Sequence, residues 1–320
     1  MIMRRQGLYL FTALTLSACS QLQGTAPSNE ALSCPVQFVV LGTAQDAGTP
    51  QIGNSNDPAW DNTADKRLAA SAAVVDIRHD KKYLFEATPD IRQQLKDLDK
   101  DYPSVKPNLG LSNVFITHAH IGHYAGLMFF GRESASTKNL KVNVMPRMAS
   151  FLENNGPWEQ LVSLKNISLE NVLQDGQSHD LEDDISVTPL RVPHRDEYSE
   201  TVGFIIKGPE KSILFLPDID DWERWTAEYE RDISQVTASL DAVFIDATFF
   251  DNNELPGRDM TKIPHPRVTD SMARLSGQAS KVHFIHINHT NPLRDPKSSQ
   301  TKLLRAKGFN VAYRGQKLCL

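Results

Sequence analysis

Short runs of β-branched and aromatic residues recur along this chain, each bounded by glycine, proline or polar residues. They fall at 36–41, 72–76, 83–86, 113–117, 185–188, 202–206, 212–216, 242–245 and 282–285, and each predicts a strand. Between several of them apolar positions take helical spacing, over 89–98, 147–154, 221–235, 268–275 and 302–306. Strands and helices interleaved in this way describe an α/β protein with two sheets or one large mixed sheet.

Polar residues punctuate the pattern at particular places. His118, His194, Asp218, Asp246 and His286 each stand at or just beyond the C-terminal end of an apolar run, where ligand sites gather in α/β folds. A buried, hydrogen-bonded polar residue would explain any one of them, but packing gives no reason for all five to share one position. The densest stretch reads His118-Ala119-His120-Ile121-Gly122-His123. Two histidines one residue apart point the same way from an extended backbone, and a third soon after closes a nitrogen cluster suited to a transition metal.

The N-terminus departs from this pattern. Arg4 and Arg5 precede an apolar run from Leu8 to Leu16, too short to span a bilayer but suited to the core of a signal peptide. Leu16-Ser17-Ala18-Cys19 follows and resembles the bacterial lipobox, whose cysteine carries lipid after cleavage. The expected organisation is a signal peptide over 1–18, a lipidated Cys19 with a flexible polar tether over 19–34, and a folded domain over 35–320. Ser20 after the cysteine favours the periplasmic face of an outer membrane, a soluble periplasmic protein being the alternative. Export leaves Cys34 and Cys319 in an oxidising compartment, either as one disulfide joining the first and last strands or as two buried thiols.

Composition narrows the function classes. The chain has 320 residues, 40% of them hydrophobic, and a formal net charge of −5, so it has the core of a globular protein and no basic surplus for nucleic acid. The expected partners are a small-molecule substrate and, through Cys19, a membrane.

The dispersed motifs resemble those of the metallo-β-lactamase superfamily. Its His-x-His-x-Asp-His signature matches His118, His120 and His123, with Gly122 where the aspartate would stand, and its downstream His, Asp and His match His194, Asp218 and His286. The segments 41–51, 245–250, 254–260, 263–266 and 286–292 are similar to a branch of that superfamily, the pyrroloquinoline quinone biosynthesis protein B family. Two departures stand out: Ile52-Gly53-Asn54-Ser55-Asn56 replaces a cysteine-bearing loop that some relatives carry, and the N-terminus marks this chain for export. The three signature histidines are also fuller here than in that family. The chain therefore reads as an exported relative with a stronger metal site.

The resemblance implies an αββα four-layer sandwich and a zinc site from His118, His120 and His194, with Asp218 bridging to a second ion held by His123 and a last histidine. His286 is favoured for that last place over His289, because it sits at the strand end. Loss of the carboxylate at Gly122 is expected to leave one firm site and a weakened second one, unless Asp46, Asp259 or His289 supplies the donor. An aspartate restored at 122 is then expected to strengthen the second site. Asp218, Asp259 and His265 are the candidate catalytic residues, the last two in a Pro- and Gly-rich loop able to carry a proton donor or to form a rigid surface turn. Arg195 to Tyr198 are placed to orient His194 or meet substrate, and Trp222, Trp225, Phe249 and Phe250 to line a pocket or the core. The implied chemistry is metal-activated water attacking an ester, lactone, lactam or phosphodiester. The alternatives are an iron-dependent oxygenase of quinone-cofactor biosynthesis and a carrier that keeps the fold without catalysis.

Overall fold

Two seven-stranded sheets pack face to face in the computed structural model, which describes residues 34–169 and 172–320. The expected signal peptide, lipidated Cys19 and the tether up to Ser33 lie outside the described residues. The first sheet contains β1 (Val36–Gly42), β2 (Ser71–Asp76), β3 (Lys81–Phe85), β4 (Leu111–Phe115), β5 (Leu140–Asn143) and β6 (Ile167–Ser168) in sequence order, with β14 (Lys317–Cys319) outside β1. The second contains β7 (His179–Glu182), β8 (Ile185–Arg191), β9 (Val202–Lys207), β10 (Ser212–Leu216), β11 (Ala242–Asp246), β12 (Val282–Ile285) and β13 (Asn310–Val311), also in sequence order. Each sheet starts antiparallel and turns parallel, from β3 onward in the first and from β10 onward in the second.

Period-two alternation sorts the side chains into layers. Val36, Phe38 and Val40 of β1 enter the core between the sheets, while Val39 and Leu41 face the outer helices. In β10, Ile213 and Phe215 point to the inter-sheet core and Leu214 and Leu216 to the opposite layer. Both faces of these strands are buried, which is why they read as continuous apolar runs. The inter-sheet core is rich in phenylalanine, with Phe38 and Phe244 rings 4.8 Å apart and Phe85 and Phe115 rings 5.0 Å apart.

Helices cover the outer faces. Residues of α1 (Ile91–Asp101), α2 (Ile121–Tyr124), α3 (Pro146–Asn154) and α4 (Trp158–Ser163) pack on the first sheet. Those of α5 (Trp222–Tyr229), α6 (Ile233–Thr237), α7 (Val268–Arg274) and α8 (Ser299–Ala306) pack on the second, giving the αββα sandwich. The helix expected over 221–235 is two helices. Glu230 turns left-handed at φ 55°, and Asp221 and Asp232 each accept a backbone N–H at the start of a separate helix.

Cys34 and Cys319 form a disulfide that ties the start of β1 to β14, where Gln37 lies opposite Cys319. Closing a loop of 285 residues restricts the unfolded chain strongly. Replacing both cysteines by serine is expected to lower stability by about 2–5 kcal/mol. Urea unfolding of the variant beside reduced and oxidised wild type checks this; reductant should shift the wild type and leave the variant unmoved.

Candidate metal centre

The C-terminal ends of strands from both sheets meet along one edge, and the loops leaving them carry the site. After β4 the chain runs through His118 and His120 into the short helix α2, which holds His123; His194 follows β8, Asp218 follows β10, and His286 follows β12. His118, His123, His194, Asp218 and His286 are buried, and His120 is half-buried.

Asp218 is the hub. Its Oδ2 lies 3.5 Å from His118 Nε2, 3.5 Å from His123 Nε2, 3.4 Å from His194 Nε2 and 3.8 Å from His286 Nε2. On one side of it His120 Nδ1 stands 2.8 Å from His118 Nε2 and 3.1 Å from His194 Nε2, so three ring nitrogens and a carboxylate oxygen converge. On the other side His123 Nε2 and His286 Nε2 are buried without a hydrogen-bond partner among the described residues, as is Asp218 Oδ1. Orphaned buried nitrogens facing a shared carboxylate are costly unless a ligand satisfies them, and imidazole with carboxylate is a donor set for zinc or ferrous iron.

The outward nitrogens are fixed by partners. His118 Nδ1 lies 2.8 Å from Thr117 Oγ1, His194 Nδ1 2.8 Å from Asp220 Oδ1, and His286 Nδ1 3.0 Å from Thr248 Oγ1. His120 Nε2 lies 3.3 Å from Glu197 Oε2, whereas His123 Nδ1 stands 3.3 Å from Glu86 Oε1 as a charge contact without a hydrogen bond. Such contacts set which nitrogen faces a metal. Glu86 follows β3 and is fully buried; the strand-end rule that found the other residues reaches it too, but reading it as the last residue of its strand hid it.

Electrostatics fit a cation. Burial, reinforced by the neighbouring histidines, holds His118 well below the usual histidine range, and burial also lowers His120 and His286. Burial alone would raise Asp218, but His194, His286, His265 and His123 around it hold its carboxyl well below the usual range. Neutral imidazoles at His118, His120 and His286 beside an ionised carboxylate are the states that metal ligation needs. At His123 burial is outweighed by the Glu86 and Asp218 carboxylates, which raise its pKa to about 10, so an ion there displaces a proton.

His265 joins the same centre. It sits in the loop after β11 at φ 81°, buried, with Nδ1 2.7 Å from Asp246 Oδ2 and 3.2 Å from Asp218 Oδ1. Its burial opposes a charge, yet the Asp246 and Asp218 carboxylates raise its pKa well above the ordinary value. Asp246 also accepts from Thr248 Oγ1 at 2.7 Å and from the backbone N–H of Ile219, which ties the dyad to the loop carrying Asp218. His286 and His265 share the left-handed backbone region, φ 62° and 81°, a cost that persists where surrounding structure enforces it.

Two expected site residues lie elsewhere. Asp259 is exposed, accepts from Thr261 at the start of a one-turn helix and pairs with Lys262, and it stands outside the clusters able to hold a metal. His289 faces Asn54, its Nδ1 3.2 Å from Asn54 Nδ2, and its carbonyl accepts from Arg294; the clusters able to hold a metal include His286 and not His289. Gly122 has no room for the aspartate expected to strengthen the second site. A Cβ there would fall 2.5 Å from Cα of Asp46.

A cleft of about 750 Å³ opens beside His120, walled by Tyr124, Phe151, Trp158 and Tyr198, with Arg195 and Glu197 at its polar side. Of these aromatic residues the sequence pointed only to Tyr198, in the segment 195–198 expected to orient His194 or meet substrate. Trp222 and Trp225 are core, donating to Ser271 Oγ and the Arg191 carbonyl, and Phe249 and Phe250 are buried as well.

Comparison with known proteins agrees with this fold. A family model described as a beta-lactamase superfamily domain matches residues 81–289. Coenzyme PQQ synthesis protein B of Ruegeria pomeroyi is 25% identical over 310 residues, covering 89% of this chain and 100% of that protein. The protein of the same name from Methylococcus capsulatus is 26% identical, covering 88% and 99%. Among solved structures, Zn(2+)-bound PqqB from Methylobacterium extorquens superposes with a TM-score of 0.70 at 22% identity, covering 89% of this chain and 100% of that one. A diphosphatase from the PhnP family superposes with a TM-score of 0.58 at 21% identity, covering 89% and 98%.

Proposed function

This chain belongs to the beta-lactamase superfamily, and on that basis we propose that it is a metal-dependent hydrolase of small ester, lactone, lactam or phosphodiester substrates. The observation that carries the proposal is the convergence of His118, His120, His194 and Asp218 within 4.8 Å, beside buried His123 and His286 Nε2 atoms that no group among the described residues satisfies. A divalent ion bound there supplies Lewis acidity, polarising the substrate and bringing the pKa of water toward ~7. Zinc suits the donors, with ferrous iron the alternative.

The protein's own groups supply the rest. Asp218, shared among the histidines, holds the negative charge at the centre and orients what binds between them. His265, fixed through Nδ1 by Asp246, leaves Nε2 as the nitrogen available to protonate a departing oxygen. The aromatic cleft fits the apolar part of a small molecule, and Arg195, without a carboxylate partner among the described residues, is placed to meet an anionic group. Chelated and reconstituted protein assayed on carboxylic ester, lactone, lactam and phosphodiester probes tests the proposal. Hydrolysis of at least one probe, lost on chelation and regained with zinc, is expected; no metal-dependent hydrolysis of any probe would reject it.

A second reading is favoured by one observation, the end-to-end similarity to proteins named for PQQ synthesis. In that reading the same donors hold iron for an oxygen-dependent step on a quinone-cofactor precursor, or the cleft carries such a molecule. Turnover that requires oxygen separates it from hydrolysis. For the location we propose export with a lipid on Cys19, supported by the N-terminal motif and the Cys34–Cys319 disulfide. Cell fractionation of Cys19→Ser should move the protein from the membrane to the soluble fraction; unchanged membrane association would reject the anchor.

A further inference from the structure

We propose that Asp46 supplies the carboxylate that position 122 lacks, completing a second divalent-cation site with His123, His286 and Asp218. This rests on the metal-centre reading above and specifies its second half.

Three observations meet at this point. One ligating atom each from Asp46, His123 and His286 lie within 4.8 Å of one another. The Nε2 atoms of His123 and His286, both buried, have no hydrogen-bond partner among the described residues and stand 3.5 and 3.8 Å from the Asp218 oxygen shared with the other site. Gly122 gives the reason that Asp46 can reach them. A Cβ at 122 would lie 2.5 Å from Asp46 Cα and 3.0 Å from its carbonyl carbon and oxygen, so the loop occupies the space of the missing side chain. Backbone atoms cannot swing aside as a flexible side chain would.

The loop is shaped for that approach. Asp46 adopts φ 44°, a left-handed conformation that aspartate tolerates better than most residues. On either side the turn is tied down: Gln45 N–H donates to the Ile287 carbonyl beside His286, and Gly48 N–H donates to the Gln45 carbonyl. The Asp46 carboxylate makes no hydrogen bond or ion pair among the described residues, so nothing in the fold competes for it. Glycine at 122 and aspartate at 46 thus form a matched pair: the carboxylate has moved from the helix to the loop packed against it, and two imidazoles and two carboxylates remain for the second ion.

Calorimetric titration of the chelated full chain with zinc tests this, with elemental analysis of the loaded protein as a second readout. Wild type is expected to take two ions, Asp46→Asn and Asp46→Ala to keep the first and bind the second at least tenfold more weakly, and Asp46→Glu to recover part of the loss. Asp259→Asn, an exposed carboxylate outside the centre, should titrate as wild type. Unaltered thermal unfolding of the chelated Asp46 variants shows that the loss is not misfolding; if they unfold early, the Asp46→Glu titration decides. Two ions bound equally tightly by wild type and Asp46→Ala would overturn the inference while leaving the hydrolase reading in place. One ion in wild type would do the same, and no ion at all would remove both.

Discussion

Asp218→Asn is expected to empty the centre while leaving the fold intact. The substitution conserves shape and removes the one negative charge that lies within 3.8 Å of four histidine nitrogens. Partners one layer further out are already worth about 10–100-fold in metal affinity, so a donor shared by both halves of the site should cost at least about 100-fold. Loss of about 4 kcal/mol of charge stabilisation at the reacting centre corresponds to a fall in rate of roughly a thousandfold. Metal content after dialysis and turnover of the most reactive probe measure the two effects. Full metal occupancy with normal turnover would mean that Asp218 is a structural acid holding the histidines, and the site would need redrawing.

The second large effect is expected at His265. Its Nδ1 is engaged by Asp246 at 2.7 Å, and it belongs to no set of ligands with His118 and His120, so its removal should spare the first ion. Loss of a positioned proton donor typically costs about 10²–10⁴-fold in rate. The size should depend on the group that leaves: His265→Ala should lose most of its activity on an alkyl ester or alkyl phosphodiester, whose departing alkoxide needs a proton. It should lose far less on the nitrophenyl analogue, which departs as a stable anion. Asp246→Asn should show the same leaving-group dependence with a smaller loss, because it acts by orienting His265. Equal losses on both leaving groups would assign His265 to structure or metal retention instead.

Much of this centre was legible because one rule generated it. Apolar runs ending in His or Asp located His118, His194, Asp218, Asp246 and His286, since strands buried on both faces leave a sharp boundary where the chain meets the ligand edge. The failures have particular causes. Asp46 and Asp259 read alike as loop carboxylates, and only the left-handed turn at Asp46 and its packing on Gly122 set it apart from the cap at Asp259. Gly122 itself read as a missing ligand, because a sequence records which side chain is absent and not which backbone fills the gap. His289 lies three residues beyond His286 in a histidine-rich turn, and its removal to Asn54 depends on how that turn folds back over the first loop.

Elements without a strong apolar run were lost for a similar reason. The strands β6 and β13 have two residues each, and β7 is a charged edge, His179–Glu182, with no continuous hydrophobic signal. The break between α5 and α6 hangs on a single left-handed residue, Glu230, that leaves the apolar spacing almost undisturbed. The cleft aromatics Tyr124, Phe151 and Trp158 come from separate segments and meet Tyr198 only in space.

Hydrolysis by a bound divalent ion is the central claim, and oxygen-free reconstitution tests it most directly. Protein stripped of metal, reloaded anaerobically with zinc and assayed on the ester, lactone, lactam and phosphodiester probes should recover turnover without oxygen. Turnover that appears only with ferrous iron and oxygen, and never with zinc, would contradict it.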